Sequence, residues 1–229
     1  MKKLFLICSL MLLTSFAKAE SCPTSHCGAI DAQVKETCER NGWGAGNSQW
    51  VVFEGKTCQC GCSCVTGDTL ISLMDGHYAP IANLEPEDSL LLPFAKKLTS
   101  NSGTLMSSRF QTPTTILETS FSNGASIYSS ENHTFITDDY KVVKAKNLKK
   151  GMKVMGDLGT AVTVLMDPIS VDFLGQLFNL SLNKTSSKAI DHVIVTNGIY
   201  SGDWLLQNTS DAIEDEIDVR TANNIITVE

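Results

Sequence analysis

The residue with the clearest chemical use in this chain is Cys64. It ends an alternating run, Cys58, Cys60, Cys62 and Cys64, and opens the stretch Cys64-Val65-Thr66-Gly67-Asp68-Thr69-Leu70-Ile71, after which no cysteine recurs. A thiol at the first position of a domain can attack the carbonyl of the residue just before it, here Ser63, and exchange a peptide bond for a thioester. On an extended strand the four alternating cysteines would share one face, where thiolates suit zinc or copper(I). The spacing departs from the usual C-x2-C or C-x4-C of zinc sites, so disulfides are expected here and no metal is assigned. Of the four histidines, His26 reads as a loop residue and His77, in the turn Asp75-Gly76-His77, as exposed; His133 and His192 are taken up below.

The cysteine count gives Cys64 its separate place. Residues 1–19 read as a signal peptide, with basic Lys2 and Lys3, an apolar run from Leu4 to Leu13 and the small-x-small site Ala17-Lys18-Ala19. The run is shorter than the roughly 20 residues a bilayer needs, so no membrane span is expected. The mature chain would begin at Glu20 in an oxidising compartment, secreted or periplasmic, and Cys8 would be lost with the signal. Cys22, Cys27, Cys38, Cys58, Cys60, Cys62 and Cys64 remain, an odd set that leaves one thiol over. With Cys64 set aside, the others all fall within 20–63, a segment too small for much of a core and expected to be a disulfide-rich module of open connectivity. Inside it, Ile30 to Arg40 suits a short helix and Gln49 to Glu54 a strand. A bond from Cys62 or Cys60 to Cys64 would hold the thiol inactive until a reductant arrived.

The elements that must position Cys64 follow it. Short apolar runs recur between turn residues: Leu70 to Leu73, Ser89 to Leu92, Ser126 to Tyr128, Thr134 to Thr137, Lys153 to Met155, Ala161 to Met166, Leu177 to Leu182, and His192 to Thr196 before Asn197-Gly198. Many short strands with little helical period predict an all-β domain. Ala95 to Gly103 and Ser107 to Thr114 read as polar excursions, and no internal repeat is strong enough in the sequence to use. The net charge of -7 argues against a nucleic-acid surface. Asp211, Glu214, Asp215, Glu216, Asp218 and Glu229 against Arg220 make residues 206–229 an acidic, solvated tail. No phosphate loop, dinucleotide fingerprint, H-E-x-x-H or serine elbow is present, and no cofactor is expected.

Four ordered blocks carry a resemblance. Cys64 to Thr69, with Asp75-Gly76 and Pro80-Ile81-x-x-Leu84, is similar to the opening block of the Hint family, the inteins and hedgehog autoprocessing domains. Ser130-Glu131-Asn132-His133 is similar to the family's Thr-x-x-His motif and is followed by Phe135, then Val143-x-Ala145-x-x-Leu148-x-x-Gly151. Phe178 to Leu182 and His192 to Ile199 resemble its late strands. The resemblance covers 64–205 and implies an all-β horseshoe of many short strands. It also implies an N-to-S acyl shift at Cys64, with His133 on the departing amide nitrogen, Ser130 in place of the family's Thr as a brace, and His192 as a late-block histidine assisting or orienting the site.

The far end decides the kind of member. Inteins that splice end in His-Asn followed by Cys, Ser or Thr; here Gly202, Asp203 and Trp204 stand in those places. Cleavage without splicing is therefore expected, as in hedgehog-type or bacterial intein-like members. The thioester would be discharged by water or a small thiol or amine, releasing the cysteine-rich peptide. The alternatives are a non-catalytic secreted binding or structural protein on a decayed Hint scaffold, and a cysteine peptidase acting in trans.

Overall fold

A computed structural model describes residues 20–21, 36–37, 40–41, 50–53, 56–59, 65–94, 103–110, 113–182 and 188–209. The expected signal segment, the acidic residues from 211 on, and every cysteine except Cys58 lie outside the described residues. So do Cys64 itself, the disulfide-rich module as a bonded unit and the proposed redox gate.

The strands, in chain order, are β1 Glu20–Ser21, β2 Trp50–Phe53, β3 Lys56–Gln59, β4 Val65–Thr66, β5 Leu70–Ser72, β6 Tyr78–Pro80, β7 Gly103–Arg109, β8 Thr114–Ser120, β9 Ser126–Ser129, β10 Thr134–Ile136, β11 Val142–Lys144, β12 Lys153–Met155, β13 Ala161–Thr163, β14 Ile169–Phe173, β15 Gln176–Leu182, β16 Val193–Thr196 and β17 Ile199–Gly202. One sheet runs β1-β7-β15-β4-β9-β8-β14 and a second β11-β10-β17-β16-β5-β6, with β12-β13 and β2-β3 as separate pairs. The all-β expectation holds among the described residues, where helix is confined to residues 36–37 and 40 and to Trp204–Thr209. Ile71, Ile81, Leu90, Phe121, Phe135, Leu148, Val154 and Ile199 form the main core, each almost fully buried. Burial of that kind contributes about 1.5–3 kcal/mol per large apolar side chain.

Three expectations about elements change. Ser107 to Thr114 is strand at both ends: Ser107 to Arg109 belong to β7, paired residue for residue with β15 from Gly103↔Leu182 to Arg109↔Gln176, and Thr114 starts β8. Its serines read as polar, yet Ser107 is buried and its hydroxyl takes a hydrogen bond from Gln176 Nε2 at 2.7 Å. Ser89 to Leu92 forms only a bridge, Leu90 to Leu73. His192 ends a 3-10 turn, Ala189–His192, and β16 begins after it.

The sequence also hid a repeat. Backbone hydrogen bonds recur at a spacing of 64 residues: Ile81 N to Thr69 O matches Ala145 N to His133 O, as 81 is to 145 and 69 to 133. In the same way Leu73 N to His77 O matches Thr137 N to Lys141 O, Met74 N to Ser89 O matches Asp138 N to Lys153 O, and the bridge Leu73↔Leu90 matches Thr137↔Val154. Each unit is a hairpin, a 3-10 turn and a bridged extended segment. Val65 and Ser129 are counterparts in this relation and pair with each other, so β4 begins where the two units meet. Thr69 is the counterpart of His133; the same backbone place carries an imidazole in one unit only.

The last hairpin closes as its sequence predicted. Asn197 (φ 47) and Gly198 (φ 74) are both left-handed, as a tight two-residue hairpin turn requires. The Asn197 side chain accepts from Leu70 N at 2.7 Å and donates to Ser126 O at 2.8 Å, tying the hairpin to β5 and β9. The packed body then continues through the helix Trp204–Thr209, past the end at 205 that the sequence implied, because Leu206 and Gln207 are buried.

Candidate functional site

Val65, the residue after Cys64, pairs antiparallel with Ser129 of β9 on one side and Phe178 of β15 on the other. Ser130 and Asn179 are the residues that follow those two partners in the chain. Those two residues therefore flank the side from which the chain enters β4. Both are buried.

From Ser130 the chain makes a tight turn, its carbonyl accepting from His133 N at 3.1 Å. Lys146 N to Glu131 O (3.0 Å) and Ala145 N to His133 O (2.7 Å) anchor that turn to the 3-10 turn Ala145–Asn147. The structure thus brings Ser130 and His133 together at the start of β4. The His133 ring is 2% exposed and lies edge-on to Phe135, with ring centres 5.0 Å apart.

Hydrogen bonds set the protonation of His133. Leu180 N donates to Asn179 Oδ1 at 2.8 Å, which leaves the Asn179 amide nitrogen to donate to Gln207 Oε1 at 3.0 Å. Gln207 Nε2 in turn donates to Gly202 O at 2.6 Å and has its second hydrogen for His133 Nδ1 at 3.1 Å. A ring nitrogen that accepts is unprotonated, so the proton of neutral His133 resides on Nε2. Burial pushes the His133 pKa down to about 3, so the ring is neutral at neutral pH. Nε2 is itself buried and has no partner among the described residues. Leaving such a donor unpaired costs about 1–3 kcal/mol, the mark of a group kept for a partner. The hydroxyls of Ser129 and Thr134, on either side of the same turn, are also buried without a partner among the described residues.

His192 stands elsewhere. Its Nδ1 lies 3.0 Å from Asp203 Oδ2, both side chains almost fully buried. Asp203 also accepts from Leu182 N (3.0 Å, Oδ2) and Leu206 N (2.9 Å, Oδ1), and its own N–H donates to His192 O at 2.9 Å. Asp203 is thus the N-cap of the helix that carries Gln207. His192 reaches His133 through Asp203, that helix and Gln207, a place that suits orienting the site. The four expected site residues therefore divide: Ser130 and His133 adjoin, His192 lies apart and is joined to His133 through Asp203 and Gln207, and Cys64 lies outside the described residues. Sequence reasoning missed Asn179 and Gln207. Asp203 was noticed only as a substitute for asparagine, although an aspartate directly before Trp204-Leu205-Leu206-Gln207 is a helix-start signal.

Gly202 stands where a side chain has no room. A Cβ there would collide with Thr134 Oγ1 and come within 3.0 Å of Leu206 Cδ2. Among the described residues no group of three His, Cys, Asp or Glu side chains could hold a metal ion. A surface cleft of about 500 Å³ beside the Asn197-Gly198 turn, lined by Asp68, Tyr78 and Asn123 among others, includes none of the expected site residues.

No protein-family model and no curated protein matches the sequence. Among solved structures, the chain is similar to a bacterial intein-like domain from Clostridium thermocellum, with 16% identity, a TM-score of 0.49, and coverage of 62% of this chain and 98% of that one. A DnaB intein from Synechocystis sp. PCC 6803 matches with 18% identity, a TM-score of 0.48, and coverage of 62% and 99%. The gp41-1 intein matches with 16% identity, a TM-score of 0.46, and coverage of 62% and 99%. Its structural neighbours are inteins and an intein-like domain.

Proposed function

We propose that this chain is an exported, self-cleaving precursor that severs the bond before Cys64 and does not splice. The observation that supports this best is the buried Nε2 of a neutral His133, without a partner among the described residues, in the turn that begins at Ser130. The Cys64 sulfur attacks the Ser63 carbonyl carbon, the C–S bond forms and the C–N bond breaks. The thiol proton ends on the Cys64 nitrogen, so the shift is an isomerisation with no net proton uptake. His133 acts as a hydrogen-bond donor: Nε2–H engages the Cys64 nitrogen and draws its lone pair out of amide conjugation.

Water, or a small thiol or amine, then takes the acyl group, and the peptide 20–63 leaves with Ser63 as its carboxyl end. Splicing has no support at the other end. Gly202 leaves no room for a histidine, and the Asp203 carboxylate is engaged by His192, Leu182 N and Leu206 N. Secretion or periplasmic export follows from the signal segment, and the protein's own N-terminal segment is its substrate.

Incubating the purified full chain over a hundredfold range of concentration, with and without hydroxylamine, tests the proposal. Self-cleavage through a thioester gives a rate independent of protein concentration and accelerated by hydroxylamine. A rate proportional to concentration would instead indicate a peptidase acting in trans.

A further inference from the structure

We propose that Gln207 is a positioning residue for His133: its carboxamide, oriented by Asn179, holds the ring proton on Nε2 and leaves that nitrogen as a hydrogen-bond donor. What the proton does rests on the self-cleaving reading above; where the proton sits is a property of the uncleaved chain.

Every amide orientation in the relay is fixed by a backbone group. Leu180 N–H can only donate, so Asn179 presents Oδ1 to it and its NH2 to Gln207. Gly202 O can only accept, so Gln207 presents Nε2 to it. The two ends agree, and the remaining Gln207 hydrogen points at His133 Nδ1. Reversing the Gln207 amide would set its oxygen against Gly202 O and its nitrogen against the Asn179 NH2, two mismatches inside a buried site. Nδ1 therefore meets a donor in the favoured arrangement, and the proton has one place left to go. The Asp203 cap sets the first turn of the six-residue helix, and with it Gln207, whose backbone N donates to Asp203 O at 3.1 Å. His192 acts on the reaction through this same turn.

Gln207→Glu tests the inference at nearly constant shape, while also setting an oxygen against Gly202 O. A carboxylate can only accept, so it reverses the demand on Nδ1 and calls for a proton there. The 15N resonances of the ring nitrogens, recorded at pH 7 on the full chain carrying Cys64→Ala so that it stays intact, report which nitrogen bears hydrogen. The expected spectra place the proton on Nε2 with Gln207 and move it to Nδ1, or to both nitrogens, in Gln207→Glu. With Cys64 present, cleavage should slow about 10- to 100-fold, as when a partner that orients a working histidine is lost. A His133 proton on Nδ1 in the chain with Gln207 would overturn the inference without any variant. So would an unchanged ring in Gln207→Glu, or a changed ring with an unchanged rate. If the chain with Gln207 does not cleave at all, the self-cleaving reading fails, and the spectra alone then decide whether Gln207 sets the ring.

Discussion

Acid should weaken this fold through His133, and the size of the effect follows from its burial. In the unfolded chain the imidazole takes up a proton near 6.5; in the fold burial holds it to about 3. Between those values the unfolded chain binds a proton that the folded chain refuses. Stability contributed by this residue is therefore complete above pH 6.5 and falls as pH drops through the window, levelling off below about 3. Each unit is worth about 1.4 kcal/mol, so going from pH 7 to pH 4 removes roughly 3 kcal/mol, a large share of the 5–15 kcal/mol that holds a typical domain. The assay is urea unfolding of the Cys64→Ala chain at both pH values, beside the same chain carrying His133→Gln, which keeps a polar side chain and loses the titration. The exposed Asp75–His77 pair and the Asp139 carboxylate, which Thr137 and Lys141 hold below its usual range, are common to both proteins and cancel. The His133→Gln chain should lose roughly 3 kcal/mol less on acidification. Equal losses would refute a buried, neutral His133.

Two further substitutions test the framework around it. Gly202→Ala places a methyl against Thr134 Oγ1 and should destabilise by about 1–3 kcal/mol in thermal or urea unfolding; an unchanged midpoint would mean that the β17 end has room to restore a histidine. Asp203→Ala removes both the helix cap and the carboxylate facing buried His192, and should cost about 3–5 kcal/mol in urea unfolding. Asp203→Asn keeps the cap and should recover about 1 kcal/mol of that; equal losses in the two variants would show that the cap contributes nothing.

What could be read from sequence was what side-chain period and turn chemistry encode. The β-strand texture and the Asn197-Gly198 turn follow from local signals, whereas Ser130 and His133 were joined only by their resemblance to a Thr-x-x-His motif. The 64-residue repeat does not, because the two units share hydrogen bonds more than residues. Gly76 (φ 85) sets the left-handed corner of the first hairpin, while bulky Tyr140 (φ 64) holds the same corner in the second and carries no glycine signal. β7 was hidden by its serines, polar by type, although Ser107 is buried in the fold. Gln207 and Asn179 lie 28 residues apart in the chain, and 74 and 46 residues after His133, so only the folded chain shows that their amides meet. An amide has no spacing rule that would have singled it out.

The central claim is tested most directly by mass spectrometry of the purified full chain against Cys64→Ala, each with and without a thiol reductant. Cys64 should prove necessary: the wild-type chain resolves into a peptide ending at Ser63 and a fragment beginning at Cys64, with or without the reductant's help, while Cys64→Ala stays whole. A wild-type chain that remains intact under every condition, or a Cys64→Ala chain cut at the same bond, would contradict it.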